Sequence, residues 1–170
     1  MKKMLYWLLP LSWMGVIFYS SSTPYQEQDM KPFLSKHADL SFLKPHLDSI
    51  VFTYHQSEVS VANLGVEGFI EYFLRKGAHV TVFLLLFLLI YIAFRKTTNL
   101  TLHVCIGWSF IITVIYAAFD EVHQGFTPNR TPYFGDVVLD TAGALIGLGL
   151  VYLYMFGKVK KGKKTNKASR

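Results

Sequence analysis

Arg75, Lys76 and His79, then Asp120, Glu121, His123 and Gln124, then Arg130, and finally Asp136 and Asp140 form the set of side chains that could do chemistry in this chain. Guanidinium and ammonium groups hold phosphate or carboxylate, and Arg does so through a planar fork that Lys lacks. Carboxylates beside a histidine can take up and return protons. On a helix, Arg75 and His79 lie about 40° apart and Lys76 about 60° further round, so the three share one face. Asp120 and Gln124 repeat that spacing, flanked by Glu121 and His123. Asp136, Asp140, Gly143 and Gly147 fall within an arc of about 60°.

The elements that must position these groups are apolar. Hydrophobic residues make up 52% of 170, too many for an ordinary soluble domain. Apolar stretches lie at about 4–19, 78–94, 100–119 and 137–156, and a hydrocarbon core needs roughly 17–25 apolar residues per helix. The pattern predicts an all-α membrane protein: a four-transmembrane-helix bundle, with helices over about 4–20, 67–95, 100–124 and 136–157. Residues 1–157 then form one transmembrane domain, with a loop region at 21–66 between the first two helices. A basic tail, 158–170, is expected to be disordered.

Charge orients the threading. With a cytoplasmic N-terminus, Lys2, Lys3, Arg95, Lys96 and the lysine-rich tail ending at Arg170 fall inside, eleven of the seventeen cations. All eleven Asp and Glu residues fall at the other side. Cationic loops mark the cytoplasmic face. The expected location is the plasma membrane, multi-pass, with both termini cytoplasmic and 21–74 and 125–135 extracytoplasmic. The net charge of +6 comes largely from the tail, which reads as a contact with anionic membrane lipid rather than with nucleic acid. The first segment resembles a signal peptide, but Pro24 follows it and no A-x-A-like site is present, so retention is expected.

Two carboxylates one turn apart near lipid must face the bundle interior and be paired. Gly143 and Gly147 continue that stripe as a small-xxx-small arrangement that admits a neighbouring helix. The stripe of Asp136 and Asp140 is therefore the packed face, with Arg75, Lys76 and Arg130 as expected partners. In the loop region, Leu40, Leu43 and Leu47 have helical spacing, suited to a short amphipathic helix on the bilayer. The alternation around Ile50, Phe52 and Tyr54, repeated at Val59 and Val61, fits a short extended pair.

Neither a metal nor a cofactor is expected. His37, His46 and His55 recur every nine residues, which alternates helix sides, and Glu121 with His123 lacks a helical zinc spacing. The single cysteine, Cys105, excludes an intrachain disulfide and reads as a packing residue.

At these residues the chain resembles the VanZ family. The matching pieces are Ile17-Phe18-Tyr19-Ser20-Ser21-Ser22, Arg75-Lys76-Gly77-Ala78-His79, Asp120-Glu121-Val122-His123-Gln124 and Pro128-Asn129-Arg130. The last is Asp136-Val137-Val138-Leu139-Asp140-Thr141-Ala142-Gly143-Ala144-Leu145-Ile146-Gly147. Two positions depart from the family pattern: Asp140 is commonly Asn there, and Asn129 stands where Gly is usual. The resemblance implies a small integral membrane protein of the bacterial cell envelope. Its namesake is associated with low-level resistance to the lipoglycopeptide teicoplanin in Gram-positive bacteria.

Two functions suit the residues. In the first, apolar walls and a charged mouth engage an amphiphile: a membrane lipid headgroup, a lipid-linked cell-wall precursor or a lipoglycopeptide. In the alternative, the Asp, Glu and His side chains make a membrane enzyme acting on a lipid-linked or headgroup substrate. A carrier is disfavoured, because transport sites lie near the bilayer midplane and these groups lie at helix ends.

Overall fold

Helix α1 (Leu5–Ser21) opens the chain, and the segment after it is irregular because its sequence is. A 3₁₀ turn over Tyr25–Gln28 leads to α2 (Lys31–His37), a second 3₁₀ turn over Ser41–Leu43 and α3 (Lys44–Leu47). The structure is a computed structural model describing residues 3–37 and 39–168, with side chains through Lys158. Lys2, Arg170 and the side chains of the tail lysines beyond Lys158, which entered the charge count, lie outside the described residues.

The single amphipathic helix expected at 36–47 is broken instead. Asp39 accepts hydrogen bonds from the N–H and hydroxyl of Ser41, a side-chain turn that competes with helix. Pro45 then restarts a short helix at its first turn. Leu40, Leu43 and Leu47 still share a side, packed on Val59, Val61, Val66 and Phe69.

The expected extended pair is a hairpin of β1 (Phe52–Tyr54) and β2 (Ser57–Val59), antiparallel with Phe52 opposite Val59 and Tyr54 opposite Ser57. His55 and Gln56 form its two-residue loop with φ of 49° and 61°, the left-handed pair that matches strand twist.

Three long helices follow: α4 (Val61–Thr97), α5 (Leu102–Gln124) and α6 (Phe134–Ala168). Ser60 caps α4 by accepting from the Asn63 N–H, and Gly65, at φ 72°, breaks its first turn. A side chain rarely tolerates that φ. Each of the three contains a segment long and apolar enough to cross a membrane, in α6 over Phe134–Lys158. Helix α1 has 17 residues, about 26 Å of rise, and falls short of the roughly 30 Å hydrocarbon core. The tail does not lose structure at residue 158: α6 runs on to Ala168. Lysine is a good helix former and no proline interrupts the segment.

Helix α4 is the hub, packed on α1, α5 and α6. Ile17, Phe83, Leu86, Ile90, Tyr116 and Ala117 make one core; Phe87, Ile106, Ala144 and Val151 make another further along. A Cβ on Gly143 would collide with the Val80 carbonyl, and one on Gly147 would meet the Phe87 ring at 2.7 Å. The glycine stripe therefore admits α4 as expected. Helix α1 is seated by polar contacts near its start and at its middle: Trp7 Nε1 to Thr97 Oγ1 at 3.2 Å, Trp13 Nε1 to the Val82 carbonyl at 3.0 Å and Tyr116 Oη to the Met14 carbonyl at 2.6 Å.

Candidate functional site

The end of α4 nearest the hairpin, the end of α5 and the start of α6 bring the polar set to one level. Its members then divide into two groups. Arg75, His79, Asp120 and Arg130 line a cavity of about 180 Å³ between α1 and α4, with Ser20, Ser21 and Gln28 on the polar side and Trp13, Val16, Ile17, Val82 and Phe83 on the apolar side. Arg75, Lys76 and Asp136 line a separate cleft of about 490 Å³ under the hairpin, with Tyr25, Tyr54, Tyr72 and Glu71. Arg75 borders both.

In the cleft, Lys76 forms an ion pair with Asp136, and its ammonium lies 4.5 Å from the Tyr54 ring centre. The Tyr54 hydroxyl donates to the same carboxylate at 2.6 Å. Burial and the Asp136 bond push the Tyr54 phenol well above its ordinary range. The hairpin is thereby tied to the first turn of α6.

On the next turn of each helix, Asp140, 1% exposed, faces His79, with 3.2 Å between Oδ1 and the His79 Nδ1. The Asp140 carboxylate thus meets an imidazole. The pairings for α6 are Lys76 with Asp136 and His79 with Asp140. Arg75 and Arg130, also expected as partners, bond elsewhere.

Arg75 pairs with Glu71 one turn back at 2.9 Å and stacks 4.2 Å from the Tyr25 ring centre. Glu71 is 3% exposed and also accepts from the Tyr25 hydroxyl and the Met30 N–H, each at 3.3 Å.

Among the described residues, Arg130 is bonded to no carboxylate. Its Nε donates to the Thr23 carbonyl at 3.2 Å, Nη1 to Gln124 Oε1 at 3.0 Å, and Nη2 to the Ser20 carbonyl at 3.4 Å and Gln28 Oε1 at 2.5 Å. It thereby adds a donor to the Ser20 carbonyl in the last turn of α1 and to the Thr23 carbonyl just beyond it. Burial and the nearby Arg75 charge hold its guanidinium below the usual arginine range, while leaving it cationic. Asn129 places it: at φ 59° Asn adopts a left-handed turn that few side chains tolerate.

Asp120, 2% exposed, accepts from Ser21 Oγ and Gln124 Nε2, both at 2.9 Å, through Oδ2. Its Oδ1, Glu121 Oε2 and Asp140 Oδ2 are buried with no hydrogen-bond partner among the described residues. Glu121 Oε1 accepts from the Tyr133 N–H and anchors the link before α6. His123 stacks on Phe18 at 3.9 Å, so it sits outside the cavity.

Sequence reasoning did not single out Glu71, Tyr25, Gln28, Ser21 or Tyr54 as site residues. The four-residue spacing of Glu71 and Arg75 was a usable signal. Ser21 lay within the matching piece Ile17–Ser22, whereas Tyr25, Gln28 and Tyr54 come from distant segments and no local pattern marks them.

Along α4 the cavity meets an apolar groove lined by Leu43, Leu47, Phe69, Phe73, Leu74 and Leu85, and Trp13, Ala78 and Val82 border both spaces. The arrangement offers two guanidiniums and one carboxylate on a small polar wall beside an apolar channel, which suits an anion attached to a hydrocarbon chain.

No curated protein and no solved structure gives a significant match to the chain. The model of one protein family, described as VanZ/LLP1, matches residues 6–156. That span takes in α1, the hairpin, the cavity and nearly all of the apolar part of α6, and the chain therefore belongs to the VanZ/LLP1 family of membrane proteins.

Proposed function

We propose that this protein binds an anionic amphiphile of the outer leaflet, with the acidic or phosphate group between Arg75 and Arg130 and the hydrocarbon chain in the groove along α4. The observation that carries this reading is the shared border of cavity and groove at Trp13, Ala78 and Val82. Arg75 is paired with Glu71, whereas Arg130 is bonded to no carboxylate among the described residues, so the cavity wall keeps one guanidinium without an ion-pair partner. An anion there gains charge-assisted hydrogen bonds in a low-dielectric setting.

In the proposed topology α1 completes a four-helix membrane bundle, its short length offset by Trp7 near one end and Tyr19 near the other. Both termini face the cytoplasm, in keeping with the basic residues at 95–96 and in the tail. The polar end then lies at the extracytoplasmic surface, where a membrane phospholipid, a lipid-linked wall precursor or a lipid-tailed glycopeptide would approach from the side. Resistance to such an antibiotic would follow from sequestering it or from occupying its lipid-linked target. These remain arms of the same test, because each presents an acidic group on a lipid chain.

The test is binding of dioleoyl phosphatidic acid and dioleoyl phosphatidylcholine to the purified full chain in nanodiscs. Phosphatidic acid should bind at least about tenfold more tightly, corresponding to about 1.4 kcal/mol. The Arg75→Gln variant should lose that preference while retaining its melting temperature within a few degrees. Equal affinity for the two lipids in the native protein would end the proposal.

A further inference from the structure

Nothing about anion binding requires His79 to lie on the cavity wall, yet it does. Its Nδ1 is 3.2 Å from Asp140 Oδ1. Asp140 is buried on α6, so the carboxylate can fix the ring only by accepting from an Nδ1–H. That tautomer leaves the lone pair on Nε2, the ring nitrogen without a protein hydrogen bond among the described residues. A structural pin between α4 and α6 explains the His79–Asp140 bond. It does not explain why the ring edge borders the same space as Arg75 and Arg130.

We propose that the cavity hydrolyses a lipid diphosphate, with His79 as general base, Asp140 as its positioning residue, and Arg75 and Arg130 holding the charge of the two phosphates. This inference rests on the anionic-amphiphile reading above and names its substrate class. The step balances with water as the only co-reactant. The water oxygen forms a bond to the terminal phosphorus as one water proton passes to His79 Nε2. The bond from that phosphorus to the bridging oxygen breaks, and its electron pair stays on the bridging oxygen. The products are a lipid monophosphate and hydrogen phosphate, and the imidazolium returns its proton to solvent.

The choice of a diphosphate over a simple phosphate ester follows from the leaving group. An alkoxide would need a proton donor at its oxygen, and the nearest acid on the wall, Asp120, already accepts two hydrogen bonds through Oδ2. A phosphate leaves as a stable anion, and an adjacent guanidinium neutralises the developing charge. The apolar groove takes the chain, whether prenyl or diacylglycerol.

The experiment uses the purified full chain in nanodiscs with dioleoylglycerol diphosphate and reads inorganic phosphate release. Native protein should turn the substrate over. His79→Gln should lose at least about 100-fold in kcat, the usual share of a general base, while still binding phosphatidic acid. Asp140→Asn should lower kcat by at least about tenfold and by as much as about 10⁴-fold with KM unchanged, because the amide cannot stabilise the imidazolium and can hold the ring in the wrong tautomer. If His79→Gln melts far below the native protein, His79→Asn, which can still bond Asp140, replaces it. No release by native protein that binds phosphatidic acid normally would overturn the hydrolysis and leave the binding reading intact. Release that survives His79→Gln undiminished would overturn the assignment of the base. Failure of native protein to prefer phosphatidic acid would remove the binding reading and this inference with it.

Discussion

Arg130 Nη1 donates to Gln124 Oε1 at 3.0 Å, and the same Gln124 amide donates through Nε2 to Asp120 at 2.9 Å. One neutral side chain thus bridges a half-buried cation and a buried anion. The consequence is a guanidinium that closes the end of α1 while its charge stays uncancelled by a bonded carboxylate. Replacing Arg130 by Ala should take this donor from the Thr23 carbonyl, Gln124 and Gln28, while the Ser20 carbonyl keeps Gln28 Nε2 and the Thr23 N–H, and should cost about 1.5–3 kcal/mol. Arg130→Lys should recover less than half, since an ammonium cannot span the four acceptors. Thermal melting in detergent measures both.

The contact between α4 and α6 depends on Gly143. A methyl group there meets the Val80 backbone, which cannot swing aside, whereas Gly149 has open space around it. Gly143→Ala should destabilise by about 1–3 kcal/mol through overpacking, and Gly149→Ala should be neutral or slightly stabilising. Equal melting temperatures for the two variants would contradict the packed stripe.

The hairpin is held by Tyr54 and Lys76 meeting on Asp136. The Tyr54 phenol is raised from 10.0 by burial first and by the Asp136 bond second. A raised folded value stabilises fully below the unfolded value and is lost as pH climbs through the folded one. The hairpin should therefore remain docked from neutral pH to well above pH 10. In Asp136→Asn, tyrosinate absorbance should rise at lower pH than in native protein, with Tyr54→Phe removing the shifted component.

Topology has its own check. Reporter fusions after Pro132 should be active only on the extracytoplasmic side, and fusions after Lys158 only in the cytoplasm. The reverse result would place the cavity at the inner leaflet and exclude the proposed ligands.

How much of this was legible in the sequence depended on distance along the chain. Periodicity alone put Asp136, Asp140, Gly143 and Gly147 on one face, and the close approach of Val80 shows that face meeting α4. The alternation at Phe52 and Tyr54 likewise survived as a hairpin, although neither turn residue is the expected Gly or Asn. Charge counting failed to choose partners. Opposite charges at one depth admit several pairings, and the selection of Glu71 for Arg75 and of backbone carbonyls for Arg130 was made by the path of residues 20–30 over the cavity. The amphipathic helix at 36–47 broke because Asp39 and Pro45 act within a few residues, a local signal that outweighed the leucine spacing.

Native mass spectrometry of protein extracted from its own membrane measures the central claim most directly. The account predicts one retained lipid carrying an acidic or phosphate group per chain, absent from the Arg75→Gln variant. Protein released without bound lipid, or lipids of every headgroup retained equally by native protein and variant, would contradict it.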